Sequence, residues 1–187
     1  MTGPTAVKHN AAHVITEVVG RVAHYSSDAT KETSLKRAEI WAEGAERVAI
    51  SDHLFPSSQA LAAALLRTAS YEYRAYRRGL IPSLGTSGAE REGIRILIGH
   101  VDAAVDVLED IAFQGEKGRI SAEDMSGLIW QARDAFIFGL VNPSIPGGAL
   151  TPSIYTSAFL APKRIVEHVR EELEQAAVSA QRDQRST

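Results

Sequence analysis

Two histidines four residues apart on a helix, followed one turn later by a carboxylate, form a spacing at which imidazole and carboxylate can share a divalent metal. The chain carries such a row near its start. His9, His13, Glu17 and His24 stand at offsets of 0, 4, 8 and 15, which places them within roughly 80° of one another on a helix, opposite its apolar stripe. The row lacks the Glu that follows the first His of a zincin motif, and a catalytic metal also needs a pocket. A metal-dependent helical-bundle enzyme is therefore one reading of these residues, and a solvated or subunit-facing surface is the other.

A second pattern suits phosphate. Arg67, Tyr71, Arg74 and Arg78 fall at i, i+4, i+7 and i+11 and form a basic ridge with an aromatic in it, the kind of face that contacts nucleic acid. Arginines near a helix C-terminus are also favoured by the helix dipole alone, and Glu72 lies close by. Further on, Asp102, Asp106, Glu109 and Asp110 share the polar side of another helix, a spacing that suits a divalent cation, a basic partner or plain solvation. His100 sits at the edge of that helix's apolar stripe, where a buried, satisfied histidine is expected rather than a general base.

The stretch from Ala63 to Arg78-Gly79-Leu80-Ile81-Pro82 resembles the helix-turn-helix of excisionase and MerR-type regulators, in which a short helix pair ends in a basic-Gly-x-Ile-Pro run. The likeness implies a DNA-contacting helix pair over about twenty residues. It departs from that pattern at Glu72 and Ala75, which fall at core positions, and after Pro82, where Gly85-Thr86-Ser87-Gly88 replaces a basic wing.

No Gly-x-Ser-x-Gly elbow, P-loop or dinucleotide fingerprint is present. There are no cysteines, so disulfides, thiolate catalysis and cysteine-ligated metal are excluded. With 20 basic and 23 acidic residues the net charge is -3, and no global field draws the chain to nucleic acid or a membrane. The start, Met1-Thr2-Gly3-Pro4, has neither basic nor apolar signal character, and no apolar run is long enough for a membrane span. The expectation is a cytoplasmic protein, or a virion protein if it is a phage structural component.

These residues are positioned by helices. Val7, Ala11, Val14, Ile15, Val18, Val22 and Tyr25 share one face of a first helix from about Ala6 to Tyr25. A second spans about Lys31 to His53, with a solvated polar face. A third starts at Ser57 or Ser58 and is ended by Gly79. A loop over 82–88 is a subdomain boundary candidate. The fourth helix, about Ala89 to Phe113, is the most apolar and is expected at the centre of the core. After a polar connection, Ser121 and Asp124 suggest a cap for a fifth helix to about Leu140, apolar around much of its circumference and so expected to be buried on several sides. The Pro- and Gly-rich segment 142–152 is irregular, and a sixth helical region follows Ser153, with a polar tail over 181–187.

The sequence therefore predicts an all-α, single-domain bundle of about six helices. Its functional reading is a non-enzymatic assembly or interaction protein, a structural subunit of a homo-oligomer or larger protein complex such as a phage particle, with no cofactor and no membrane association. A DNA-binding regulator using the Arg67 to Arg78 ridge and a metal-dependent enzyme using the His9 to His24 row are the alternatives.

Overall fold

Three helix starts are fixed by side-chain oxygens that take up backbone N–H groups left without an intrahelical acceptor. Asn10 accepts from the amide of Ala12, Thr30 from Thr33, and Ser57 from Ala60. Ser121 does the same for Asp124 at 3.0 Å, as the sequence suggests. The computed structural model describes residues 10–26, 30–53, 55–85 and 88–141, by backbone alone at 89 and 135–141. His9, segment 142–152, the sixth helical region and the 181–187 tail lie outside these residues.

Among the described residues the chain is all-helical: α1 (Ala11–Ala23), α2 (Lys31–Ala49), α3 (Ser58–Leu80), a 3-10 helix (Ile81–Gly85), α4 (Ala89–Glu116) and α5 (Ala122–Val141). One isolated bridge joins Asn10 to Asp52. Helix α2 packs on α3, α3 on α4, α4 on α5 and α5 back on α2. These four close a ring whose diagonal partners hardly touch, and α1 lies against α2 from outside. The most heavily packed helix is thus α3, not the more apolar α4, because α3 lies between α2 and α4 and also meets the 3-10 helix. In α4, Ile94, Leu97 and Ile98 are only partly buried.

The core is filled by Leu66, Tyr73, Ile111, Met125 and Ile129 from α3, α4 and α5, with Val14, Val18 and Val48 at the α1–α2 contact. Each fully buried aliphatic side chain contributes about 1.5–3 kcal/mol.

Two glycines, Gly79 and Gly115, lie inside helices and not at or beyond their ends. Gly79 does not end α3 but lies within it, where a Cβ would come within 2.6 Å of the Lys31 Cβ. It lets the last turn of α3 approach the first turn of α2. The helix stops one residue later, at Leu80, because Pro82 has no N–H to continue the ladder, and the chain tightens into the 3-10 turn rather than a loop. Helix α4 continues past Phe113 to Glu116, its Gly115 pressed against Met125. Gly118, at φ 63°, then ends it: its N–H reaches the Gly115 carbonyl and the Arg119 N–H reaches that of Gln114. That pair of bonds is a Schellman stop, which a left-handed glycine makes without steric cost.

The helix-turn-helix likeness is not realised. Residues 63–80 belong to one uninterrupted helix, with no turn between two shorter ones.

Candidate functional site

The basic ridge of α3 and the acidic side of α4 face each other. Arg67 meets Glu116 at 2.5 Å, Arg74 meets Glu109 at 2.7 Å, and Arg77 meets Asp102 at 2.6 Å. The partners run in opposite order along the two helices, which fixes α3 and α4 as antiparallel. The hydrogen bond from Arg67 holds the Glu116 carboxyl below its ordinary value, and the carboxylate raises the guanidinium in return. Arg78 has no carboxylate partner among the described residues and lies over the exposed Tyr71 ring, 5.9 Å from its centroid. Exposed pairs of this kind contribute about 0–1 kcal/mol each, so they set which helices neighbour one another more than they stabilise the fold.

The first-helix row meets a different fate. His13 and Glu17 are exposed on α1 and His24 is exposed at its C-cap, but both Glu17 oxygens accept from Arg47 of α2, at 2.9 and 2.8 Å. That hydrogen bond, aided by the charges of Arg47, Arg21 and His13, lowers the Glu17 carboxyl. His24 stacks edge-on against Tyr25. Among the described residues no three His, Asp or Glu side chains are grouped to hold a metal.

Sequence reasoning missed a charged lattice on the same side of the molecule. One turn beyond the Glu17 pair, Arg21 clasps Glu43 with bonds of 2.9 and 3.1 Å. Arg133 of α5 pairs with Glu46. Arg21, Glu43 and Arg133 border a cleft of about 370 Å³ between α1, α2 and α5, also lined by His24, Lys36 and Glu39. The polar face of α2, expected to be solvated, is thus the strip to which α1 and α5 are fastened. Only the charge periodicity of Glu39, Glu43, Glu46 and Arg47 hinted at it. Glu43 is lowered first by its bond from Arg21, and Arg21 is raised by the same bond. A carboxyl held ionised and a guanidinium held protonated make poor proton shuttles near neutrality, where general acid–base work needs a pKa close to the operating pH.

His100 is buried on α4. A second, wider groove of about 860 Å³ opens where the α2–α3 connection meets the start of α5, lined by Ile50, Asp52, His53, Phe55 and Glu123. Phe55 is 92% exposed there. Along α5 the side chains of Glu123, Asp124, Trp130 and Asp134 are exposed, with Gly127 among them. Trp130 is 56% exposed, against the expectation of burial on several sides, because α4 and α2 already cover Met125, Leu128, Ile129 and Ala132. No helix among the described residues is long and apolar enough to cross a membrane.

Compared with protein-family models, with curated proteins and with solved structures, the chain matches none.

Proposed function

We propose that this protein is a non-enzymatic helical assembly protein, a subunit that associates with other protein chains through the outer faces of its bundle. The observation that carries this reading is the exposure of large aromatic side chains, above all Phe55 at 92%, Tyr71 at 63% and Trp130 at 56%, on a bundle whose interior is already filled. Aromatic side chains are enriched at protein interfaces, where they supply large contact area at small entropic cost. The charged residues that could do chemistry are instead tied to one another between helices, at Arg67 and Glu116, Arg74 and Glu109, Glu17 and Arg47.

The DNA-binding alternative uses the same α3 ridge, and a phosphate would have to displace Glu116 from Arg67 and Glu109 from Arg74. The metal-enzyme alternative requires Glu17 to leave Arg47. Each therefore begins with the loss of contacts that assembly leaves in place.

Sedimentation over a wide concentration range tests the proposal. A mass rising to a defined multiple of the 20.2 kDa chain, lowered by Trp130→Ala with helix content unchanged, is the expected result. A monomer at every concentration would overturn it.

A further inference from the structure

Helices α3 and α5 stand at opposite corners of the four-helix ring, since each packs on α2 and α4 while hardly touching the other. Their outer faces therefore look away from each other. Both faces carry the same spacing. On α3 the exposed stripe is Arg67, Tyr71, Arg74 and Arg78, and on α5 it is Glu123, Gly127, Trp130 and Asp134, each at i, i+4, i+7 and i+11. Each stripe is charged at both ends, positive on α3 and negative on α5, with an aromatic between the ends. Either stripe spans about 16 Å at 1.5 Å per residue.

The two helices also run the same way. Helix α3 is antiparallel to α4 by the order of its ion pairs, and α4 turns back into α5 through the Gly118 stop. A second copy displaced sideways without being turned over then lays its α3 parallel to the first copy's α5. In that register Arg67 meets Glu123, Tyr71 meets Gly127, Arg74 meets Trp130 and Arg78 meets Asp134. The ends are opposite charges, and a guanidinium over an indole is a favourable cation–π pair.

Gly127, like Gly20 and Gly99, is a helix-interior glycine that no close approach among the described residues requires, and of the three it is the one that lies on the α5 stripe. A glycine weakens a helix interior, and a Cβ added here would meet nothing within 4 Å. At Gly44, Gly79 and Gly115 an added Cβ would meet a neighbouring side chain at 2.5 or 2.6 Å, whereas at Gly127 it would meet nothing among the described residues. A bare Cα in the middle of an exposed stripe leaves room for a ring from outside, and Tyr71 of a second copy is the residue the register puts there.

We propose that the α3 stripe of one copy docks on the α5 stripe of the next, so that the protein assembles head-to-tail through a heterologous interface. This rests on the assembly reading above and specifies its partner as a second copy of this chain. Such an interface uses two different patches per subunit, so it propagates into a ring or a filament instead of closing as a two-fold dimer. Arg67 and Arg74 keep Glu116 and Glu109 on docking, since each pair is made through a single guanidinium nitrogen of a half-exposed side chain and the other N–H groups remain to meet the second copy.

The test uses two charge-reversed proteins. Arg67→Glu with Arg78→Glu disables the α3 face, and Glu123→Lys with Asp134→Lys disables the α5 face. Each alone should associate about a hundredfold or more weakly than the parent, because like charges are then juxtaposed. Mixed in equal amounts, they keep the parent junction between their intact faces and pair the two reversed faces through opposite charges again, so the mixture should co-assemble although neither protein does alone. Gly127→Gln should keep its helix content and lose assembly. A wild-type multimer that these changes leave intact, or a mixture that stays monomeric while the wild type assembles, overturns this interface and leaves the assembly reading standing. A wild type that is monomeric at every concentration overturns both.

Discussion

Arg37 holds Glu72 with two parallel hydrogen bonds, Nε to Oε1 at 3.0 Å and Nη2 to Oε2 at 3.1 Å, while its Nη1 donates to the Tyr25 carbonyl at 2.9 Å. One side chain of α2 thereby fixes a residue of α3 and the end of α1. Both charged partners are only 14% exposed, unlike the half-exposed pairs of the α3–α4 seam.

Breaking that pair should be costly. Arg37→Met leaves the Glu72 carboxylate largely desolvated without its cation, and removing one member of a buried pair costs several kcal/mol. The expected loss of unfolding free energy is about 2–4 kcal/mol in urea. Arg37→Met with Glu72→Leu should recover much of it, since no lone charge remains. A double variant as unstable as the single one would show that packing, not charge, holds this corner.

Gly44 of α2 faces Val18 of α1 so closely that a Cβ would lie 2.6 Å from the Val18 Cγ2. Val18 is fully buried, so it has nowhere to move. Gly44→Ala should destabilise the protein by about 1–3 kcal/mol through overpacking, and Val18→Ala in the same chain should relieve part of that. Gly20, with nothing within 4 Å of its added Cβ, provides the contrast. Gly20→Ala should stabilise α1 by about 0.5–1 kcal/mol, the helix-interior cost of glycine. Equal responses at the two positions, measured by thermal unfolding, would contradict the close approach.

These two relationships also mark how far the sequence could be read. The stripe holding Val14 and Val18 follows from a 3.6-residue period, and the starts at Ser57 and Ser121 follow from residue type, because both are local properties. The meeting of Arg67 with Glu116 is not local. The two residues are 49 apart in sequence, and nothing in either helix alone says which neighbour its polar face will meet, so a basic ridge and an acidic ridge looked like separate sites. Gly79 looked like a helix end and Gly115 like part of a connection for the same reason: the close approach each permits belongs to another element. In α5 the apolar residues surround the helix, so periodicity could not say that Trp130 is the one left outside.

The pairs joining α1 to α2 give the protein an acid-sensitive edge. Glu17 and Glu43 are both held below the ordinary carboxyl value of 4.5, each chiefly by a bond from an arginine. A carboxyl whose folded value is lowered contributes stability that is fully present above the unfolded value and is lost as the pH falls through the folded one. Amide exchange in α1 should therefore accelerate below pH 4.5 while the α3 and α4 amides remain protected. Glu17→Gln with Glu43→Gln should remove most of this pH dependence. Uniform acceleration across all helices would mean that α1 does not loosen separately.

The alkaline side is governed by the core. Burial raises the Tyr73 phenol well above its ordinary value of 10, helped by the nearby Glu39 carboxylate and opposed by Arg133. Burial likewise raises Tyr76, with a smaller contribution from Glu32. A group whose folded value is raised contributes stability that is fully present below the unfolded value, here pH 10, and is lost as the pH rises through the folded one, because the unfolded chain then ionises while the native core does not. Tyrosinate absorbance should consequently rise in two stages, the second coinciding with loss of helical circular dichroism as Tyr73 and Tyr76 are released. Tyr73→Phe should make stability fall less steeply with pH in that range, since one of the two ionisations that drive unfolding is gone. Complete tyrosine ionisation with the helices still intact would place Tyr73 in contact with water and contradict the packed centre of the bundle.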